Sequence, residues 1–97
     1  MKLSETQIQE ELTKLPEWEY EQDSLYSTFE FANFAESMTF VHEIATLAEE
    51  RNHHPRITIE YAYVELALHT HDEGGVTQQD IDFAHAVEQL VREPDVN

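Results

Sequence analysis

Apolar residues recur at helical spacing at the start of the chain and at alternating spacing soon after. Ile8, Leu12 and Leu15 form one stripe, and Pro16 closes it. Ser4 with Gln7 has the form of a capping box, and Leu3 and Ile8 stand at the two hydrophobic-staple positions. A helix is therefore predicted from Ser4 to Leu15. The period then drops to two. Trp18 to Tyr20 and Leu25 to Phe31 predict two strands. In the second, Leu25, Ser27, Phe29 and Phe31 share one face, and Tyr26, Thr28 and Glu30 share the other. The polar Glu21-Gln22-Asp23-Ser24 between the strands predicts a hairpin turn.

Asn33, with Glu36 as a capping partner, opens a second helical stretch. Its stripe is Phe34, Met38, Val41, Ile44, Ala45 and Ala48, widened by Phe40 and Leu47. A stripe that broad suits a helix facing both a sheet and a partner subunit. The helix is expected to fade between Arg51 and His53, because the residue before Pro55 is pushed out of helical geometry. Ile57 to Thr70 is rich in β-branched and aromatic residues. The alternation Ile57, Ile59, Tyr61, Tyr63 switches phase at Val64, Leu66, Leu68, Thr70. The switch predicts a hairpin near Ala62-Tyr63, although no Gly or Asn marks it. Asp72-Glu73-Gly74-Gly75 is a loop. Thr77 and Asp80 open a third helix with the stripe Ile81, Ala84, Val87, Leu90 and Val91, ended by Glu93-Pro94-Asp95. The order α-β-β-α-β-β-α predicts an α+β fold, a four-stranded antiparallel sheet with helices on one face. Residues 1–97 are expected to form a single domain.

Composition narrows the function classes. Five basic against 21 acidic residues give a net charge of −16. That disfavours nucleic-acid binding, which needs a basic footprint, and attraction to anionic membranes. There are no cysteines, so disulfides and thiolate chemistry are excluded. No basic-plus-apolar leader and no long apolar run is present, so a cytoplasmic protein is expected. A chain this short buries limited surface alone, which favours oligomerisation.

Four of the six histidines, His53, His54, His69 and His71, fall at two short junctions flanked by Pro and Gly. Histidine changes charge near neutrality, so such clustering points to proton transfer or metal ligation. A histidine pair before a proline is equally what a helix C-terminus carries, where imidazole meets the last carbonyls. His42 and His85 lie inside helices and read as surface or core-edge residues. Glu49 lies one helical turn before His53, where it can hold that imidazole. Tyr61 reads as a structural aromatic on a sheet face.

Glu49, His53-His54-Pro55, Tyr61, His71 and Asp80 together resemble the pterin-4a-carbinolamine dehydratase family. Phe31-Ala32-Asn33-Phe34, Thr70-His71-Asp72 and Gly74-Gly75-Val76-Thr77 also match family positions, and the likeness spans roughly residues 15 to 92. His69 departs from the pattern, where Ser or Thr is commoner. The resemblance implies dehydration of a 4a-hydroxytetrahydropterin, a small-molecule substrate, with no metal and no organic cofactor. It implies proton transfer by His53 and His71, with His54 orienting the pterin, and these roles are exchangeable on the sequence alone. It places Glu49, Thr70 and Asp80 among the substrate-binding residues; Asp80 also fits a plain helix-capping role. It further implies a homodimer or homotetramer. Two rivals account for the same residues. One is a metal site built on His69-x-His71 with His53-His54. The other is a non-enzymatic dimerisation or assembly cofactor, as some relatives are.

The charge carries its own prediction. So many like charges repel one another in the compact state, and salt relieves this because the Debye length falls to about 3 Å at 1 M. A salt-rich native setting is therefore expected. The melting temperature should rise between dilute buffer and molar KCl, and a flat response would contradict that setting.

Overall fold

Each helix begins at a side-chain cap. Ser4 and Gln7 form the reciprocal capping box that opens α1 (Glu5–Leu12). The helix ends at Leu12, earlier than the apolar stripe implied. Lys14 and Leu15 instead donate to carbonyls three residues back, tightening the exit while Leu15 still reaches the core. Asn33 accepts from the Glu36 N–H at the start of α2 (Phe34–Arg51). Thr77 and Asp80 open α3 (Gln78–Arg92). The computed structural model describes residues 1–92, so the expected stop at Glu93-Pro94-Asp95 lies outside the described residues.

Four strands form one antiparallel sheet in the order β1-β2-β4-β3: β1 (Glu19–Glu21), β2 (Ser24–Glu30), β3 (Arg56–Glu60) and β4 (Tyr63–Leu68). This is the α+β architecture that the sequence predicts. β2 and β3 both run antiparallel to β4 and flank it, and α2 makes the crossover between them. The register sets the faces. Leu25 opposes Leu68, Ser27 opposes Leu66, and Phe29 opposes Val64 on the inner side. Thr28 opposes Glu65 on the outer side. The inner side packs against Ile8, Ile44, Ala48, Ile81, Phe83 and Val87 from the three helices. Phe83 belongs to this core without fitting the predicted stripe, whereas Val91 is 41% exposed. Phe34 and Met38 on α2 also remain exposed.

Both hairpin turns use positive φ without glycine. Gln22 and Asp23 take φ 50° and 64°, which suits a two-residue turn between right-twisted strands. In the β3–β4 hairpin the turn residues are Tyr61 and Ala62, one position before the predicted Ala62-Tyr63. Tyr61 has φ 52° and is 65% exposed, so it is a turn residue and not an aromatic on a sheet face. Left-handed geometry costs an ordinary residue roughly 1–2 kcal/mol, whereas Asn tolerates it. Tyr61→Asn is therefore expected to raise stability by ~0.5 kcal/mol in urea unfolding. A loss above ~1 kcal/mol would mean that the ring is held by contacts beyond the turn.

Candidate active site

The end of α2 decides where two adjacent imidazoles point. Asn52 takes left-handed geometry, φ 50° and ψ 43°. Its N–H donates to the Glu49 carbonyl, and the His53 N–H donates to the Ala48 carbonyl at 3.0 Å. This pair of bonds is a Schellman motif, which satisfies the last carbonyls and folds the chain back on the helix. Pro55 then keeps His54 out of helical geometry. Two consecutive side chains leave this turn in different environments. The His53 side chain is 11% exposed and that of His54 is 57% exposed.

The two histidines meet different carboxylates. His53 Nε2 lies 2.5 Å from Asp80 Oδ1, and its ring packs edge-on against Phe83. Glu49 bonds His54 Nε2 at 2.7 Å. The sequence spacing pairs Glu49 with His53, but the left-handed Asn52 interrupts the helical repeat, and His54 swings back to Glu49 instead. That pair is open to solvent on both sides, 57% and 78% exposed, and so contributes little to stability.

Asp80 is fully buried. Its Oδ2 accepts from the Thr77 N–H at 2.9 Å and from the Thr70 hydroxyl at 2.8 Å, while Oδ1 faces His53. The carboxylate thus closes the first turn of α3 and grips an imidazole from the end of α2. Thr70 is engaged inward throughout. Its N–H donates to the Gly75 carbonyl, and its own carbonyl accepts from Glu73 and Gly74.

β4 ends at Leu68, short of the Thr70 that the alternation reached, so His69 and His71 lie in the segment beyond the strand. Thr70 pairs with Gly75 in an isolated bridge, and His71 begins a 3-10 turn over His71–Glu73. Gly74, at φ 69°, closes that turn. The rings of His69 and His71 lie 6.1 Å apart, and both residues are exposed. Among the described residues, no group of three His, Cys, Asp or Glu side chains is arranged to hold a metal.

The structure therefore joins His53, Asp80 and Thr70 directly, joins His54 to Glu49, and sets His71 next in chain to Thr70. Thr77 also belongs to this network, through its hydroxyl and its N–H, although the sequence pattern points only to a helix start and a family position there. Its place between the Gly-Gly loop and Asp80 was the available signal. A shallow depression of about 180 Å³ opens beside His53, lined also by Arg51, Gln79 and Asp82. A larger hollow lies on the outer sheet face among Glu19, Tyr26, Arg56 and Glu65, and no histidine lines it.

The family model described as pterin 4 alpha carbinolamine dehydratase matches residues 1–90. A relative from Thermomicrobium roseum is 45% identical over 89 residues, covering 92% of this chain and 96% of its own. One from Chloroflexus aurantiacus is 43% identical over 90 residues, covering 93% and 97%. Both carry the name pterin-4-alpha-carbinolamine dehydratase as a provisional assignment. Among solved structures, a transcriptional coactivator/pterin dehydratase from Brucella melitensis superposes with a TM-score of 0.89 at 30% identity, covering 93% of this chain and 98% of that one. A pterin dehydratase-like protein described as a RuBisCO assembly factor of the alpha-carboxysome gives 0.62 at 27% identity, covering 75% and 84%. With a buried Asp-His pair at its centre and a family match across nearly its whole length, the chain belongs to the pterin 4 alpha carbinolamine dehydratase family.

Proposed function

We propose that this protein dehydrates a 4a-hydroxytetrahydropterin to the quinonoid dihydropterin by histidine acid–base catalysis. The observation that carries the reading is the His53–Asp80 contact, an imidazole fixed by a buried carboxylate at the edge of an open depression. The reaction needs only two proton transfers. An acid protonates the hydroxyl on C4a, and the C4a–O bond breaks with release of water. A base removes the N5 proton, and that electron pair forms the N5=C4a double bond. Positioned groups of this kind contribute roughly 10²–10⁴-fold.

In this reading His53 and His71 transfer the protons, and His54 orients the pterin with Glu49 holding its ring. Asp80 and Thr70 act from beneath, because their polar groups are already bonded inside the protein. Neither metal nor organic cofactor is part of the proposal. The assembly is proposed to be a homodimer or homotetramer, with the exposed Phe34 and Met38 of α2 at a subunit contact.

One observation favours a second reading. The likeness to the RuBisCO assembly factor, together with the exposed Ile59, Tyr61 and Tyr63 of the β3–β4 hairpin, fits a scaffolding role. The dehydratase reading is preferred because this chain carries all three family histidines, His53, His54 and His71.

The test is dehydration of a 4a-hydroxytetrahydropterin followed by ultraviolet absorbance in molar KCl. His53→Ala and His71→Ala should each lower kcat more than about ten-fold, with little change in melting temperature for His71→Ala and a lower one for His53→Ala, which leaves Asp80 Oδ1 without its partner. Unchanged kcat in both would sink the histidine assignment, and no turnover by folded wild-type protein would favour the scaffold. The wild-type rate should also vary with pH between about 5 and 9, where imidazoles change charge. A flat profile from folded protein would contradict histidine catalysis.

A further inference from the structure

We propose that Leu3 is a positioning residue for His71: its backbone, together with the stem of Lys2, straps down the loop that carries this imidazole. The strap rests on contacts in the structure, and only its effect on turnover rests on the dehydratase reading.

The three histidines of the site are held in different ways. His53 is bonded to Asp80, and His54 to Glu49. The ring of His71 has no hydrogen-bond partner among the described residues, and the exposed ring of His69 stands 6.1 Å away. The place of His71 is therefore set by the backbone of its own loop. Thr70 pairs with Gly75, and the N–H groups of Glu73 and Gly74 both donate to the Thr70 carbonyl. These bonds close the loop on itself. One end is tied inward by the Thr70 hydroxyl, which reaches Asp80 at 2.8 Å. At the other end, beside the Thr77 N–H that also serves Asp80, the strap adds a bond from outside the loop. The Leu3 N–H donates to the Val76 carbonyl at 2.8 Å, next in chain to Gly75. Val76 is 1% exposed, which keeps water from taking over that bond.

The strap is anchored on its own side. Leu3 packs against the edge of the core, and Ser4 behind it is fixed by the reciprocal capping box with Gln7. Lys2 lies along Gly75. A Cβ on Gly75 would stand 3.0 Å from Cδ of Lys2 and 3.7 Å from its Cβ. Gly74 takes a left-handed φ of 69°, but Gly75 does not share that geometry. The second glycine of the loop is accounted for instead by the close approach of the Lys2 stem, and Gly75 is buried. The start of α1 and the loop of His71 thus form one clasp.

Leu3→Pro removes the N–H and leaves the Val76 carbonyl without its donor. Amide hydrogen exchange reads the loop directly, because local opening frees its bonded N–H groups. Exchange at Thr70 and Gly74 should be more than about ten-fold faster than in wild type, with Ile44 in α2 unchanged. Leu3→Met keeps the N–H and an apolar side chain, and should behave as wild type. In the dehydratase assay kcat should fall about ten-fold in Leu3→Pro, because a displaced imidazole transfers its proton poorly. A second pair of variants serves if Leu3→Pro does not fold. Gly75→Ala pushes Lys2 aside and should speed loop exchange and slow turnover, and adding Lys2→Ala removes the obstructing Cδ and should restore both. Unchanged loop exchange in folded Leu3→Pro, or a Gly75→Ala defect that Lys2→Ala does not relieve, would overturn the strap. Faster loop exchange at a wild-type kcat would overturn its role in placing His71. Faster loop exchange in a protein whose wild type never turns over pterin would support the strap and sink the dehydratase reading.

Discussion

One buried carboxylate holds the site together. Asp80 is out of water, and an ionised group there is tolerated only when its acceptor sites are filled. They are filled by three different parts of the chain: the first turn of α3 through Thr77, the loop after β4 through Thr70, and the end of α2 through His53. Helix cap, loop anchor and imidazole clamp are the same side chain. The position of His53 therefore depends on contacts that also stabilise the fold, and no separate device is needed to place it.

The rest of the architecture delivers those three segments to one point. α2 packs Phe40, Ile44 and Ala48 on the sheet, which fixes where its C-terminus ends. The Schellman turn at Asn52 then sends His53 inward and His54 outward. β4 lies in the middle of the sheet, and the loop that leaves it is tied back by the Thr70–Gly75 bridge. The N-terminus reinforces that loop, since Leu3 donates to the Val76 carbonyl and the terminal amine reaches Glu73 at 3.1 Å. The imidazole of His53 is enclosed, while His54 and His71 are exposed.

Much of this was legible in the sequence, and the failures have local causes. Alternation placed Leu25, Phe29, Val64 and Leu66 on the inner face, because period two survives wherever one face is buried. Capping chemistry located the starts of α1 and α2, since Ser4 and Asn33 have few other uses at those positions. The partner of Glu49 was misread because helical spacing was carried through Asn52, whose left-handed backbone ends it. The last strand was carried on to Thr70 for a similar reason: alternation does not announce that β4 stops at Leu68. The capping role of Asp80 was legible, but its bonds to Thr70 and His53 were not. Three segments far apart in sequence meet there, and no local pattern records that meeting. The resemblance carried by Glu49, His53-His54-Pro55, Tyr61, His71 and Asp80, by contrast, agrees with the family match over residues 1–90.

The account makes His53 and Asp80 one functional unit. A double-mutant cycle in the dehydration assay tests this most directly, using His53→Ala, Asp80→Asn and the combined variant. Asparagine keeps the shape but turns an amide N–H toward Nε2, since its oxygen is required by Thr77. The account predicts that each single change lowers kcat and that the double variant is no worse than His53→Ala alone, because Asp80 acts only through that ring. Fully additive losses would contradict it, and would mean that Asp80 acts on the reaction by a route that does not pass through His53.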